Sequence, residues 1–260
     1  MHPREVRAEA LTLVEAGLND CEISRRLGIP RGTIRDWRRP TYVPRNGRPR
    51  LPETCPRCWR AAKPIRFTPE DYAELLGLYL GDGYISAGAR TFRMRIALDA
   101  KYPGIIEGAR ALLARAFPEN PIGLVQAHGG TMFCVSVYSS HLPCLFPQHG
   151  PGMKHSRSIR LEVWQRRLVE VATFAFIRGC IRSDGCVFMN RTDVHRDKPY
   201  EYLSYDFSNM STDIVQLFRD ACDLVGVYTR ATRSPRGTWR VRINQRASVA
   251  LMRERVGLKA

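Results

Sequence analysis

The feature that most constrains this fold is internal repetition. The string Leu75-Leu76-Gly77-Leu78-Tyr79-Leu80-Gly81-Asp82-Gly83 has a relative in Ile177-Arg178-Gly179-Cys180-Ile181-Arg182-Ser183-Asp184-Gly185, with Asp184 lying 102 residues after Asp82. Repetition at a long, fixed offset signals two copies of one structural unit. Each string is a mostly apolar helix candidate that ends in Asp-Gly, carries small residues four apart (Gly77 and Gly81, Gly179 and Ser183) and runs into strand-like sequence. Small residues at i and i+4 share a helical face and let two backbones approach closely, which would bring the carboxylates at the two helix ends together. Paired carboxylates above a basic surface are a way to hold divalent ions against phosphate. The plainer reading of each aspartate is a helix-terminal residue in a turn. A carboxylate there opposes the helix dipole, so keeping two needs compensation such as a metal ion. Gly83 and Gly185 are expected to supply the left-handed residue after each helix.

Strand and helix patterns follow both strings. Phe92, Met94, Ile96 and Leu98 alternate with Arg93 and Arg95, and Trp239, Val241 and Ile243 alternate with Arg240, Arg242 and Asn244. Two strands with an apolar inner face and a basic outer one are predicted, the outer arginines being candidate DNA contacts. Ile105 to Phe117 and Ser211 to Val225 repeat apolar residues at three and four, with Ser211 or Thr212 as a cap, and should cover the back of the sheets.

Both Asp-Gly strings resemble the LAGLIDADG signature of homing endonucleases, and the likeness runs from Phe67 to about Leu251 as two copies in one chain. The resemblance implies an α+β fold of two pseudo-symmetric αββαββα halves forming a saddle, 67–155 and 156–260, joined through a connector from Pro147 to Ser158. It also implies Mg²⁺- or Mn²⁺-dependent hydrolysis of one phosphodiester on each DNA strand across the minor groove. Asp82 and Asp184 would be the metal ligands, with backbone carbonyls near Gly81 and Ser183 completing the shells. The family's earlier aspartate position holds Leu80 in one copy and Arg182 in the other, which leaves the ligand positions intact. Lys154, in the His149 to Arg157 connector, and Lys101 are candidates for the basic residues that assist.

The charge points to the same partner. With 41 Lys plus Arg against 25 Asp plus Glu, the chain carries a formal +16, as expected of a protein that meets a polyanion. Half of that excess falls within residues 1–66. There Val6, Ala10, Leu13 and Val14 share one helical face. Asn19 or Asp20 can cap a second helix with Ile23 and Leu27, Gly28 breaks it, and Pro30 opens a third with Ile34 and Trp37 inward. The segment from Glu15 to Arg39 resembles the helix-turn-helix of site-specific recombinases, transposases and sigma-like regulators, which implies an all-α DNA-binding domain over 1–40. Its third helix would lie in the major groove with Arg31, Thr33, Arg35 and Arg38 outward. Residues 41–66 read as a basic, proline-rich linker. Its Arg48-Pro49-Arg50 resembles the short arm with which AT-hooks enter the minor groove, a plain linker with arginines near phosphate being the alternative. Cys55 and Cys58 have the spacing of half a zinc ribbon, but no second CxxC exists. Structural Zn²⁺, completed by His128, His141, His149 or Cys144, stands against unliganded thiols.

No stretch approaches the apolar length of a membrane span, and the cysteines are scattered, so a cytoplasmic, nucleoid-associated protein without a small-molecule substrate is expected. An intein is not expected, since splicing needs a nucleophile at the first residue and a terminal Asn, whereas the chain begins Met-His and ends Lys-Ala. Two copies in one chain make a monomer sufficient, with a dimer left open by the unfinished CxxC. Double-stranded DNA cleavage is the first functional expectation. The second is a transcriptional regulator that keeps the scaffold and has lost cutting, as in a sporulation regulator that joins the two domain types in the opposite order. An RNA maturase is a third.

Overall fold

The computed structural model describes residues 4–38, 68–88, 91–192 and 200–259. The chain divides into two compact units, Met1–Arg48 and Pro49–Ala260. The first contains α1 (Arg4–Glu15), α2 (Asp20–Leu27) and α3 (Arg31–Arg38). Asn19 is the residue that caps α2. Its side-chain oxygen accepts from the backbone N–H of Cys21 and Glu22, and the Glu22 carboxylate accepts from the Asn19 N–H at 2.9 Å. This reciprocal box satisfies donors that an open helix end leaves bare. Gly28, at φ 64°, ends the helix in the left-handed region that only glycine enters freely. Ala10, Ile23, Ile29, Ile34 and Trp37 form the buried centre of the three helices.

The second unit repeats one architecture twice. Its first copy runs α4 (Pro69–Asp82), β1 (Gly83–Ala87), β2 (Phe92–Asp99), α5 (Pro103–Ala116), β3 (Ile122–Ala127), β4 (Met132–Ser139) and α6 (Leu142–Leu145). The second runs α7 (Val163–Val171), α8 (Thr173–Arg182), β5 (Gly185–Thr192), β6 (Tyr200–Asn209), α9 (Thr212–Leu224), β7 (Arg230–Arg233), β8 (Trp239–Ile243) and α10 (Arg246–Arg255). The order is αββαββα in both, with α7 as an additional lead-in helix. The sheets have the same antiparallel order, β1-β2-β4-β3 and β5-β6-β8-β7.

Alternation decides which face of each strand is buried. Met94, Ile96 and Leu98 of β2 join Val135 and Val137 of β4 in the core with Ile105, Ala109 and Leu112 of α5. Tyr205, Phe207, Val241 and Ile243 do the same with Ile214 and Phe218 of α9, where the Phe207 and Phe218 rings stack at 4.3 Å. Ser211 is the N-cap of α9, accepting from the Ile214 N–H. Each such side chain contributes about 1.5–3 kcal/mol by leaving water.

α4 and α8 pack side by side at the junction of the two copies. A Cβ added at Gly77 would stand 2.5 Å from the Phe176 carbonyl oxygen and 2.7 Å from the Cys180 nitrogen, and one at Gly179 would stand 3.0 Å from the Gly77 Cα. The backbones are therefore in contact, as the small residues at i and i+4 predict. Glu74 of α4 accepts from both Arg178 and Arg182 of α8, which fixes the register of the pair. Gly83 departs from expectation: it is extended, at φ −83° and ψ 147°, and neither it nor Gly185 has positive φ. Space, and not handedness, requires glycine at both positions. A Cβ would meet the Tyr79 Cα at 2.5 Å in one and the Ile181 Cα at 2.6 Å in the other, as each chain folds back on the helix it has just left.

Candidate functional site

The α4–α8 contact carries Asp82 and Asp184 to one place. Gly81 packs against Ser183, and a Cβ added to it would lie 3.2 Å from the Asp184 Cγ. Both carboxyls are half-buried and protonate more readily than ordinary aspartates. Burial, then the charge of Asp184, pushes Asp82 up to about 7, against the opposing pull of Lys259 and Lys154. Burial raises Asp184 as well, with the Asn209 amide and the same two lysines opposing it. Each carboxylate is thus penalised by desolvation and partly rescued by nearby cations.

Those cations close the helix ends. Lys154 Nζ donates to the carbonyls of Tyr79, Leu80 and Gly81 at 2.6, 2.9 and 2.7 Å, and Lys259 Nζ donates to those of Ser183 and Gly185 at 2.6 and 2.7 Å. The compensation that two carboxylates at helix C-termini demand is supplied by two ammonium groups on the exposed carbonyls. Lys154 is itself desolvated, and burial lowers its pKa to about 8. Burial lowers Lys259 too.

Each lysine is held by a shaped segment. Lys154 lies in a one-turn 3₁₀ helix, Lys154–Ser156, and Arg157 braces the loop before it by donating to the carbonyls of Gln148, Pro151 and Gly152. The connector is anchored further by a buried chain: Gln148 donates to Gln165, Gln165 to the Tyr72 hydroxyl, and Tyr72 to the Leu145 carbonyl at 2.6 Å. Lys259 follows Gly257, at φ 84°, whose carbonyl accepts from the Tyr205 hydroxyl at 3.0 Å.

Two clefts flank the helix pair, each combining one aspartate with the lysine that closes the other copy's helix. Asp184 shares a cleft of about 580 Å³ with Lys154, Gly81, Tyr84 and Asn209. Asp82 shares one of about 470 Å³ with Lys259, Lys101, Asp99, Arg182 and Ser183. The clefts are not equivalent. Asn209 Nδ2 donates to Asp184 Oδ2 at 2.6 Å, while its Oδ1 accepts from the Ser211 N–H, which fixes the amide's orientation. In the other cleft, Asp99 accepts from the Lys101 N–H and pairs with its ammonium at 2.9 Å.

The oxygen-rich donor set fits a hard divalent cation: two mutually repelling carboxylates and, at Gly81 and Ser183, carbonyls that keep a second lone pair beside their lysine bond. Among the described residues no group of three or more His, Cys, Asp or Glu is disposed to hold a metal ion. Cys55 and Cys58, like Arg48 and Arg50, lie outside the described residues, so the zinc and minor-groove-arm expectations rest on sequence.

The other expected contacts are largely exposed. Arg31, Arg35 and Arg38 are exposed on α3 and Thr33 is half-buried. Arg38 donates to Asp20 at 2.7 Å, with Arg35 4.0 Å from the same carboxylate. On the outer face of the first sheet, Arg93 and Arg95 stand over the rings of Tyr138 and Tyr84, at 5.3 and 5.6 Å. On the second, Arg240 and Arg242 converge on Asp206. Lys259, Asn209 and Asp206 are absent from the sequence-based set. Lys259 was reachable: it follows Asp184 by 75 residues as Lys154 follows Asp82 by 72, the repeat extended to its last member.

Residues 1–39 match the homeodomain-like domain family. No curated protein matches the chain in sequence. Among solved structures it is similar to I-DmoI in complex with DNA and Mn, at TM-score 0.51 and 15% identity over 72% of this chain and 97% of that one. Mesophilic variants of the homing endonuclease I-DmoI match at 0.51 and 16%, over 72% and 89%. A substituted I-DmoI with its target DNA and Mg matches at 0.50 and 15%, over 72% and 96%. The likeness is distant and concerns the fold. The second unit shares its fold with these structures. A helix-turn-helix-like unit precedes it in the chain, and no helix among the described residues is long and apolar enough to cross a membrane.

Proposed function

We propose that this chain binds double-stranded DNA at a specific sequence and hydrolyses one phosphodiester on each strand with the help of divalent ions. The observation that carries the reading is the junction of the two repeats, where α4 and α8 bring Asp82 and Asp184 together, each in a cleft with a lysine. The DNA seen with I-DmoI supports a duplex as the partner.

Asp82 and Asp184 are the residues that would hold Mg²⁺ or Mn²⁺, with the Gly81 and Ser183 carbonyls as further oxygen donors. Bound there, the ions would polarise the scissile phosphate and stabilise the leaving 3′-oxygen. The chain's own contribution is position and charge. Lys154 Nζ and Lys259 Nζ are held on backbone carbonyls in front of the clefts, where ammonium groups attract the phosphate. Burial lowers the Lys154 pKa to about 8, while its three N–H donors stay on the helix-end carbonyls. Arg93, Arg95, Arg240 and Arg242 line the sheet faces that would follow the duplex, while Arg31, Thr33, Arg35 and Arg38 of α3 would contact a major groove. Domains 1–40, 41–66, 67–155 and 156–260 would then serve as reader, arm and two cutting halves of a monomer acting in the cytoplasm on the nucleoid.

A second reading, a regulator that binds without cutting, is favoured by the lysine ammoniums themselves. They stand near both carboxylates and already engage the helix-end carbonyls, so the chain itself supplies part of the positive charge that an ion would bring. Selection from randomised duplex DNA decides between the two: the protein captures DNA in Ca²⁺, the pool is shifted to Mg²⁺, and both bound molecules and new ends are sequenced. New ends at a fixed offset inside a shared motif are the expected result. A sharp motif without ends would mean the regulator, and no motif at all would overturn both.

A further inference from the structure

The outer face of the second sheet carries a buried negative charge where a DNA-facing surface gains most from positive ones. Asp206 of β6 is 3% exposed and lies directly opposite Arg242 of β8 in the strand register. Its Oδ1 accepts from Arg242 Nε at 2.9 Å and its Oδ2 from Arg242 Nη2 at 3.2 Å, while Arg240 Nε stands 3.3 Å from the same Oδ2. The Arg242 guanidinium also sits over the Phe188 ring, 5.9 Å from its centroid.

An exposed ion pair would say little, because such pairs form freely on surfaces and are worth little. Asp206 is different on two counts. Burying a carboxylate is costly even when it is paired. On a surface that meets a polyanion it also subtracts from phosphate attraction, so arginines that merely grip phosphate are better off without it. What the carboxylate does provide is orientation. With Nε and one edge of Nη2 engaged, the opposite edge of the guanidinium, Nη1 and the remaining Nη2 hydrogen, is held as a planar pair of donors. That edge matches guanine O6 and N7 in a major groove, the bidentate pairing by which arginine distinguishes bases. The first sheet is built otherwise, its Arg93 and Arg95 resting on tyrosine rings.

We propose that Arg242 reads a guanine in the bound duplex, and that Asp206 is the residue that positions it, contributing specificity at the expense of general affinity. The inference rests on the duplex-binding reading above and assigns base chemistry to one position within it.

The test repeats the binding selection, without cleavage, for the wild type, Arg242→Ala, Arg242→Lys and Asp206→Asn at one salt concentration. The wild-type motif should contain a guanine whose preference falls roughly 5- to 150-fold in Arg242→Ala. Arg242→Lys keeps the charge and loses the fork, so it should lose the same preference while binding random duplex about as well as the wild type. Asp206→Asn, nearly the same in volume, should flatten that position, leave the others intact and bind random duplex more tightly. A motif that survives Arg242→Ala and Arg242→Lys at every position would overturn the inference while leaving duplex binding in place. Uniform weakening at all positions by Asp206→Asn, in protein whose thermal melt is intact, would also overturn it by making Asp206 a structural residue. If Asp206→Asn does not fold, the Arg242→Lys profile alone decides. Failure of the wild type to select any motif removes the duplex reading, and this inference with it.

Discussion

The helix contact at Gly77 allows the account to be tested by one methyl group. In Gly77→Ala the new Cβ would lie 2.5 Å from the Phe176 carbonyl oxygen, 2.7 Å from the Cys180 nitrogen and 2.9 Å from the Gly179 carbonyl carbon, all backbone atoms that no rotamer change can move. Restoring ordinary contact at about 3.4 Å requires α4 and α8 to part by roughly 1 Å. Alanine gains about 1 kcal/mol over glycine in a helix interior. Overpacking typically costs about 1–3 kcal/mol, and more where nothing can yield, so the net expectation is a loss of about 2 kcal/mol. Gly108→Ala in α5 is the control, since its Cβ would meet only the tip of Arg182 at 3.9 Å and the helix gain should appear as added stability. The separation also displaces Asp82 from Asp184, and a shift near 1 Å at reacting groups can cost on the order of 100-fold in rate. Urea unfolding of the three proteins, with cleavage rates on a selected site, reads both effects. A Gly77→Ala protein as stable as Gly108→Ala would refute the close-packing argument.

Other consequences follow from the same site. The Asp82 pKa lies near 7 in the folded protein and near 3.8 when unfolded, so the folded state holds this proton more tightly and loses stability as pH rises from about 4 to about 7. Asp82→Asn should therefore be more stable than wild type at pH 8, by on the order of a few kcal/mol, with the gap closing toward pH 4 in thermal melts. Because Lys154 shares a cleft with Asp184, and Lys259 with Asp82, Lys154→Met and Lys259→Met should each slow cutting of one strand, accumulating nicked circles from a supercoiled target. Asn19→Ala removes the acceptor for two helix-end donors and should destabilise the first unit by about 1 kcal/mol in denaturant titration.

Much of this was legible in the sequence because it rests on local periodicity. The repeated strings give α4 and α8, the arginine alternation gives β2 and β8, and Asn19, Gly28 and Ser211 sit at helix ends for reasons that act within a few residues. The features that escaped depend on partners distant in the chain. Lys259 matters because a C-terminal tail returns to the end of α8, and Asp206 because strand register sets it opposite Arg242. The Gly83 and Gly185 expectation failed for a related reason: a glycine after a helix suggests a left-handed cap, whereas here a tight reversal over Tyr79 and Ile181 excludes any Cβ. Carboxylates at two helix C-termini need compensating positive charge, for which the sequence suggested a metal ion, and the chain brings two of its own lysines to those ends.

The central claim is that Asp82 and Asp184 together carry cleavage and leave binding to the sheets and α3. Its most direct test takes the selected duplex, labelled on both strands, and incubates it in Mg²⁺ with the wild type, Asp82→Asn or Asp184→Asn while measuring affinity in Ca²⁺. The account predicts a double-strand break at fixed positions by the wild type, and none by either variant, with affinities within about threefold of one another. Double-strand cutting that persists in both variants, or lost binding in either, would contradict it.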